Sequence, residues 1–126
     1  MLDETNYKID ENNSLLILDD DQPFLKRLSV AMEKRGFNVF PAISMADFSK
    51  IIESDCPNYA IIDLRLSDGT GLDAVESIRN VNPKSKIVVL TGYGAIATAV
   101  AAVKIGAIDY LSKPADANDI LNALVF

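Results

Sequence analysis

Four short apolar runs in this chain each deliver a polar group of a kind that can handle phosphate. Tyr59-Ala60-Ile61-Ile62 ends in Asp63, and Leu15-Leu16-Ile17-Leu18 ends in Asp19-Asp20-Asp21. Ile87-Val88-Val89-Leu90 ends in Thr91, and the run from Ala107 to Leu111 leads into Ser112-Lys113-Pro114. If the runs lie side by side, Asp19, Asp20 and Asp63 come within a few ångströms of one another. Two carboxylates about 4 Å apart repel by about 4 kcal/mol at an effective dielectric of ~20. Either one keeps a proton or a cation sits between them. Mg2+, with Mn2+ admitted beside it, suits such oxygen ligands and keeps waters that a phosphate can replace. Lys113 would neutralise further charge and hold a phosphoryl oxygen, and Thr91 offers a hydroxyl to another. Carboxylate nucleophile, metal, cation and hydroxyl together make a phosphoryl-acceptor site.

Composition narrows the choice. The 126 residues contain no histidine, which excludes Ser-His-Asp and Cys-His catalysis and any histidine-ligated zinc. A net charge of −6 leaves no basic footprint, so direct nucleic-acid binding by these residues is not expected. No apolar run approaches the ~20 residues of a membrane span, and the acidic start lacks the pattern of a signal peptide. A cytoplasmic protein is the default expectation. Cys56 stands alone and forms no internal disulfide, which fits a reducing compartment.

The elements that must position these groups alternate in type. Residues 1–13 read as a flexible N-terminal tail. Strands are expected at Leu15–Leu18, Phe37–Phe40, Tyr59–Ile62, Ile87–Leu90 and Ala107–Leu111, the first of them a continuous apolar run suited to burial on both faces. Helices are expected from Pro23 to Gly36, from the Ser44 cap to about Glu53, and from about Leu72 to Asn80. Two more run from Ala95 to about Ile105 and from Ala115 or Asp116 to Phe126. Five strands alternating with five helices predict an α/β parallel sheet with helices on both faces. Working residues in such sheets lie beyond the carboxyl ends of the strands, where strand order reverses. Asp19, Asp20, Asp63, Thr91 and Lys113 all fall on that rim.

Across Ser14 to Phe126 the chain resembles the receiver domain of two-component response regulators. The matching residues are Asp19-Asp20, Asp63, Thr91, Tyr110 and Lys113-Pro114, in order and spacing. The segments DDDQPFLKRLSVAMEKRGF, DLRLSDGTGLD and VVLTGYGAIATAVAAVKIGAIDYLSKPAD resemble, more narrowly, the redox-responsive global regulators of photosynthesis and energy metabolism in proteobacteria. In that family a receiver is joined to a helix-turn-helix output domain. Here the chain stops in or just after the fifth helix, so residues 14–126 are expected to be a receiver whose output domain is absent or removed.

The resemblance implies a doubly wound (βα)5 flavodoxin-like fold with strand order 2-1-3-4-5. It also implies a mechanism. Asp63 would take a phosphoryl group from the phosphohistidine of a sensor histidine kinase. Asp20, helped by Asp19, would hold Mg2+ with Asp63 and the backbone carbonyl of Arg65. Thr91 and Lys113 would bind the phosphoryl oxygens. Inward movement of Thr91 would draw Tyr110 after it and remodel the face made by the fourth helix, fifth strand and fifth helix. The Lys113-Pro114 peptide would be cis. Arg65 and Tyr93 would flank the phosphoryl group and tune a slow self-hydrolysis. A weak homodimer through the same face, strengthened by phosphorylation, is expected from the apolar circumference of GAIATAVAAVKIG.

Plainer roles stand beside these. Asp21 reads as a helix cap and Asp68 as a turn residue. Tyr110 could be packing alone, Gly92-Tyr93-Gly94 is too weak for a nucleotide loop, and Cys56 is most simply a free thiol. A flavin carrier of the same architecture would need a Ser/Thr/Gly phosphate loop where this chain has three acids. An aspartate-dependent phosphatase would place an acid where Arg65 stands. The remaining alternative is a pseudo-receiver, a protein-binding module that takes no phosphate.

Overall fold

Leu15, Leu16, Ile17 and Leu18 are all fully buried, as are Tyr59 to Ile62 and Ile87 to Val89, so the central strands are covered on both faces. The computed structural model describes residues 13–92 and 96–125. Its strands are β1 (Ser14–Leu18), β2 (Asn38–Ala42), β3 (Tyr59–Asp63), β4 (Lys86–Thr91) and β5 (Asp109–Ser112). Its helices are α1 (Gln22–Lys34), α2 (Met45–Ser54), α3 (Gly71–Val81), α4 (Ile96–Lys104) and α5 (Ala117–Val125). All the sheet pairings are parallel and the order is β2-β1-β3-β4-β5, as expected. A two-residue antiparallel ribbon, Arg65–Leu66 with Gly69–Thr70, follows β3. Among the described residues no helix is long and apolar enough to cross a membrane.

The pleat divides the core. Leu16, Leu18, Ala60, Ile62, Ile87 and Val89 join Phe48 of α2, Ala74, Val75 and Ile78 of α3, and Ala99 and Ala102 of α4. Leu15, Ile17, Tyr59, Ile61, Val88 and Leu90 join Leu25, Leu28 and Met32 of α1 and Ile120, Leu121 and Leu124 of α5. Each strand therefore alternates between two helical layers, the period-two rule applied to a sheet buried on both sides.

Local chemistry sets most element starts. Asp21 caps α1 by accepting from the Phe24 amide at 3.1 Å, and Ser44 caps α2 by accepting from Asp47 at 3.1 Å. Asp116 accepts from the Asp119 amide at 2.9 Å, so α5 begins at Ala117.

Two expected strands are displaced. β2 runs to Ala42 instead of ending at Phe40, and carries Pro41 within it. It is an edge strand paired only with β1, where a missing N–H is tolerated. β5 starts at Asp109 instead of Ala107. Gly106 ends α4 at φ 130°, and the Ala107 amide closes that end by donating to the Ala102 carbonyl at 3.0 Å. Ala107 thus belongs to the helix end, and the ladder begins later.

Candidate functional site

The same pleat brings the acids together. β1 and β3 are in register with Leu18 opposite Ile62, so the next residues, Asp19 and Asp63, leave neighbouring strands side by side. Both continue the odd-numbered series that faces α1 and α5. Asp19 is fully buried and Asp63 only 6% exposed, whereas Asp20 is turned out to solvent. Lys113 arrives from β5, whose register puts Ser112 opposite Thr91, and its amide donates to the Thr91 carbonyl at 2.9 Å. The peptide between Lys113 and Pro114 is cis, as expected.

Lys113 Nζ lies 2.7 Å from Asp19 Oδ2 and 3.3 Å from Asp63 Oδ2, so one ammonium bridges two buried carboxylates. It also sits 4.9 Å from the centre of the Phe24 ring, a cation–π contact invisible in the sequence. Asp63 Oδ1 accepts from the Arg65 amide at 3.2 Å, and Asp19 Oδ1 from the Asp21 amide at 2.9 Å. Burial first, and the Asp19 charge second, push the Asp63 carboxyl above its usual range, against the Arg65 amide and Lys113, which favour its ionised form. Burial works against the charge on Lys113, but the hydrogen bond to Asp19 and the charges of Asp63 and Asp19 outweigh it and raise that pKa. The two directions agree physically: the lysine has two acids, while each acid has a share of one lysine.

One carboxylate oxygen from each of Asp19, Asp20 and Asp63 lies within 4.8 Å of the others. Three carboxylates with one ammonium leave a local charge of about −2, and every donor is a hard oxygen. That donor set fits a hard divalent cation and no soft one.

Thr91 is fully buried at the end of β4, and its hydroxyl reaches the Gly92 carbonyl at 3.3 Å. Together with Leu64, Arg65, Gly69, Thr70, Gly92 and Thr98 it lines a cleft of about 280 Å3. The Arg65 side chain is exposed. Tyr110, on β5, is half-buried and packs on the layer made by α2, α3 and α4. Tyr93, the second expected tuning residue, lies outside the described residues.

Three neighbours of the site carry no motif of their own. Ser67 donates to Asp20 Oδ2 from its amide at 3.0 Å and its hydroxyl at 2.8 Å. Asp68, read as a turn residue, accepts from the Met45 amide at 3.0 Å and so ties the ribbon to the start of α2. Gly71 packs against the end of β3 so closely that a Cβ there would lie 2.4 Å from the Asp63 carbonyl oxygen. A glycine opening a helix directly after an active-site loop was the signal available for that contact.

Cys56 lies at the opposite end of β3, half-buried against the core. Burial and the neighbouring Asp55 push its thiol up, and Arg79 only partly opposes them. It is a poor nucleophile, in keeping with the plain reading of a free thiol.

With this geometry in view, comparison with known proteins is informative. Residues 15–125 match the family described as the response regulator receiver domain. The chain is 63% identical over 122 residues to the photosynthetic apparatus regulatory protein RegA of Rhodovulum sulfidophilum, covering 97% of this chain and 67% of that protein. It is 57% identical over 117 residues to the acid tolerance regulatory protein ActR of Rhizobium meliloti, covering 93% of this chain and 60% of that one. The chain thus spans roughly two thirds of the length of these relatives. A solved response regulator protein from Burkholderia pseudomallei, described with a phosphorylated aspartic acid, a calcium ion and citrate, matches with a TM-score of 0.83 at 38% identity. That match covers 89% of this chain and 66% of the other. Sequence motifs, sheet order and the rim of acids therefore lead to one assignment: the chain belongs to the response regulator receiver domain family.

Proposed function

We propose that residues 14–126 act as the phosphoryl-accepting receiver of a two-component system, with Asp63 as acceptor. The observation that carries this reading is the lysine bridge. Lys113 holds Asp19 and Asp63 side by side at the strand ends, with one Asp63 oxygen against the ammonium and the other accepting from the Arg65 amide. In the reaction an Asp63 carboxylate oxygen attacks the phosphorus of a sensor kinase's phosphohistidine. A P–O bond forms, the P–N bond breaks, and the imidazole leaves with the electron pair. Mg2+, held by Asp19, Asp20, Asp63 and the Arg65 carbonyl, would supply positive charge to the transferring phosphoryl group.

Lys113 would pass from the two carboxylates to a phosphoryl oxygen, and the Thr91 hydroxyl would take another. Thr91 and Tyr110 stand on neighbouring strands, so a shift of one is felt at the other through the β4–β5 ladder. That makes the face formed by α4, β5 and α5 the output, a two-state element biased by one local charge change. The relatives' names as photosynthetic and acid-tolerance regulatory proteins support a regulatory role, which we take to be transcription control through a helix-turn-helix output domain, in the cytoplasm.

Incubation with acetyl phosphate and Mg2+, followed by intact mass measurement, tests the reading. The expected result is a gain of one phosphoryl group that Asp63→Ala abolishes. No gain in the wild-type chain, with the fold intact, would turn the assignment to a pseudo-receiver that works by binding alone.

A further inference from the structure

Of the three clustered acids, Asp20 is the one that Lys113 does not touch. It is exposed, and both of its hydrogen bonds come from a single residue across the site: the Ser67 amide at 3.0 Å and the Ser67 hydroxyl at 2.8 Å. Both fall on Oδ2. Among the described residues none falls on Oδ1.

An exposed aspartate at a loop tip ordinarily samples several rotamers, and binding a cation would cost it that freedom. Two donors on one oxygen remove the freedom in advance and turn the opposite oxygen out of the hydrogen-bonded pair. Ser67 can do this because its own support is braced on three sides. The ribbon is closed by the Arg65–Thr70 and Leu66–Gly69 pairs. Asp68 accepts from the Met45 amide at 3.0 Å, and the Thr70 hydroxyl caps α3 by accepting from the Leu72 amide at 3.2 Å. Gly69 lies against Met45, with room for a Cβ only 3.0 Å from Cγ. Helices α2 and α3 thus hold the ribbon, and the ribbon holds Asp20.

We propose that Ser67 is a positioning residue for Asp20 as a divalent-cation ligand, setting the affinity of the site without touching the cation. This rests on the reading above that the three acids take a divalent cation. Outer-shell donors to ligating carboxylates typically change metal affinity by about 10–100-fold when removed. A merely structural serine at an exposed turn would instead leave affinity alone.

Titration of the whole chain with Mg2+ alone, followed by calorimetry, separates the two roles. Ser67→Ala is expected to weaken Mg2+ binding ~10-fold, with the metal-free melting temperature unchanged. Ser67→Thr keeps the hydroxyl and is expected to bind as wild type. Ser67→Val, of the same size as threonine without the hydroxyl, is expected to bind as weakly as Ser67→Ala, and this pair decides the matter should the alanine variant fold poorly. Wild-type affinity in Ser67→Ala and Ser67→Val, with Asp20→Asn binding weakly, would overturn the proposal and leave the metal site standing. Loss of affinity in Ser67→Thr equal to that in Ser67→Val would overturn it too. Undiminished Mg2+ binding by Asp20→Asn would remove the metal reading itself, and this inference with it.

Discussion

Lys113 is shared by two buried acids, and that shortage sets the behaviour of Asp63. Because its folded pKa lies above the ordinary value, ionised Asp63 costs the native state stability at neutral pH. The cost is fully present above the folded pKa and fades as pH falls through it toward the ordinary carboxylate range. Asp63→Asn keeps the shape and an acceptor for the Arg65 amide while removing the charge. In metal-free buffer at pH 7 it is expected to stabilise the fold, seen as a higher melting temperature. That gain should shrink steadily in acid and shrink likewise in wild-type comparisons made with Mg2+ present. A lower melting temperature for Asp63→Asn at pH 7 would count against this account. Arg65 acts on a different step. Its exposed side chain lines the same cleft as Thr91, two residues beyond Asp63, and Arg65→Ala is expected to speed hydrolysis of the phosphorylated chain several-fold. Following loss of the phosphoryl group by mass after removal of acetyl phosphate measures it; an unchanged lifetime would remove Arg65 from this role.

At the scale of elements, the rim depends on how closely α3 approaches the end of β3. A Cβ on Gly71 would meet the Asp63 carbonyl oxygen at 2.4 Å, Ile62 Cγ2 at 2.8 Å and Leu64 Cα at 2.9 Å, two of them backbone atoms. Neither strand nor helix can give way without moving Asp63. Gly71→Ala is therefore expected to cost about 2 kcal/mol by overpacking and to lower phosphorylation as well. Gly69→Ala meets only the flexible Met45 side chain at 3.0 Å and is expected to cost less. Urea denaturation of the two variants gives the comparison, and equal midpoints would refute it. This approach was only partly legible beforehand. The run Ser67-Asp68-Gly69-Thr70-Gly71 reads as turn chemistry, which is true of Gly69, but Gly71 is a packing glycine on the first turn of α3. Strand ends shifted for similar reasons. β2 runs on through Pro41, which its place at the sheet edge tolerates, and Ala107 left β5 because the α4 end claimed its amide.

Over the whole molecule, two helical layers cover the sheet, yet apolar side chains remain outside on one face. Ile96, Val100 and Val103 of α4 are at least 40% exposed, and Ile108 before β5 is 48% exposed. Only Ala99 and Ala102 of α4 are fully buried, so small residues pack inward while the larger ones face solvent. Such a patch is suited to a partner surface, and Tyr110 of β5 packs in the same helical layer as α4. A homodimer through this face, strengthened when Asp63 carries a phosphoryl group, is the expected outcome. Sedimentation with and without beryllofluoride checks it: a shift toward dimer on addition supports the surface, and an unchanged monomer at high concentration refutes it. Val100→Glu, on the exposed side of the helix, should abolish the shift while leaving phosphorylation intact.

The sequence by itself determined the fold and most of the rim. Four apolar runs ending in Asp, Thr and Lys could be read because a buried parallel strand has a compositional signature and because such sheets work at their carboxyl ends. Asp21 was legible as a cap for the same local reason, since one helix start needs one acceptor. What only the tertiary structure decided was the pairing of side chains that lie far apart in the chain. That Lys113 joins Asp19 to Asp63, and that Ser67 holds Asp20, follows from strand register and from the brace between the ribbon and α2. Neither leaves a periodic or compositional trace, because a hydrogen bond across an active site depends on where two chain segments arrive and not on the residues that surround each one.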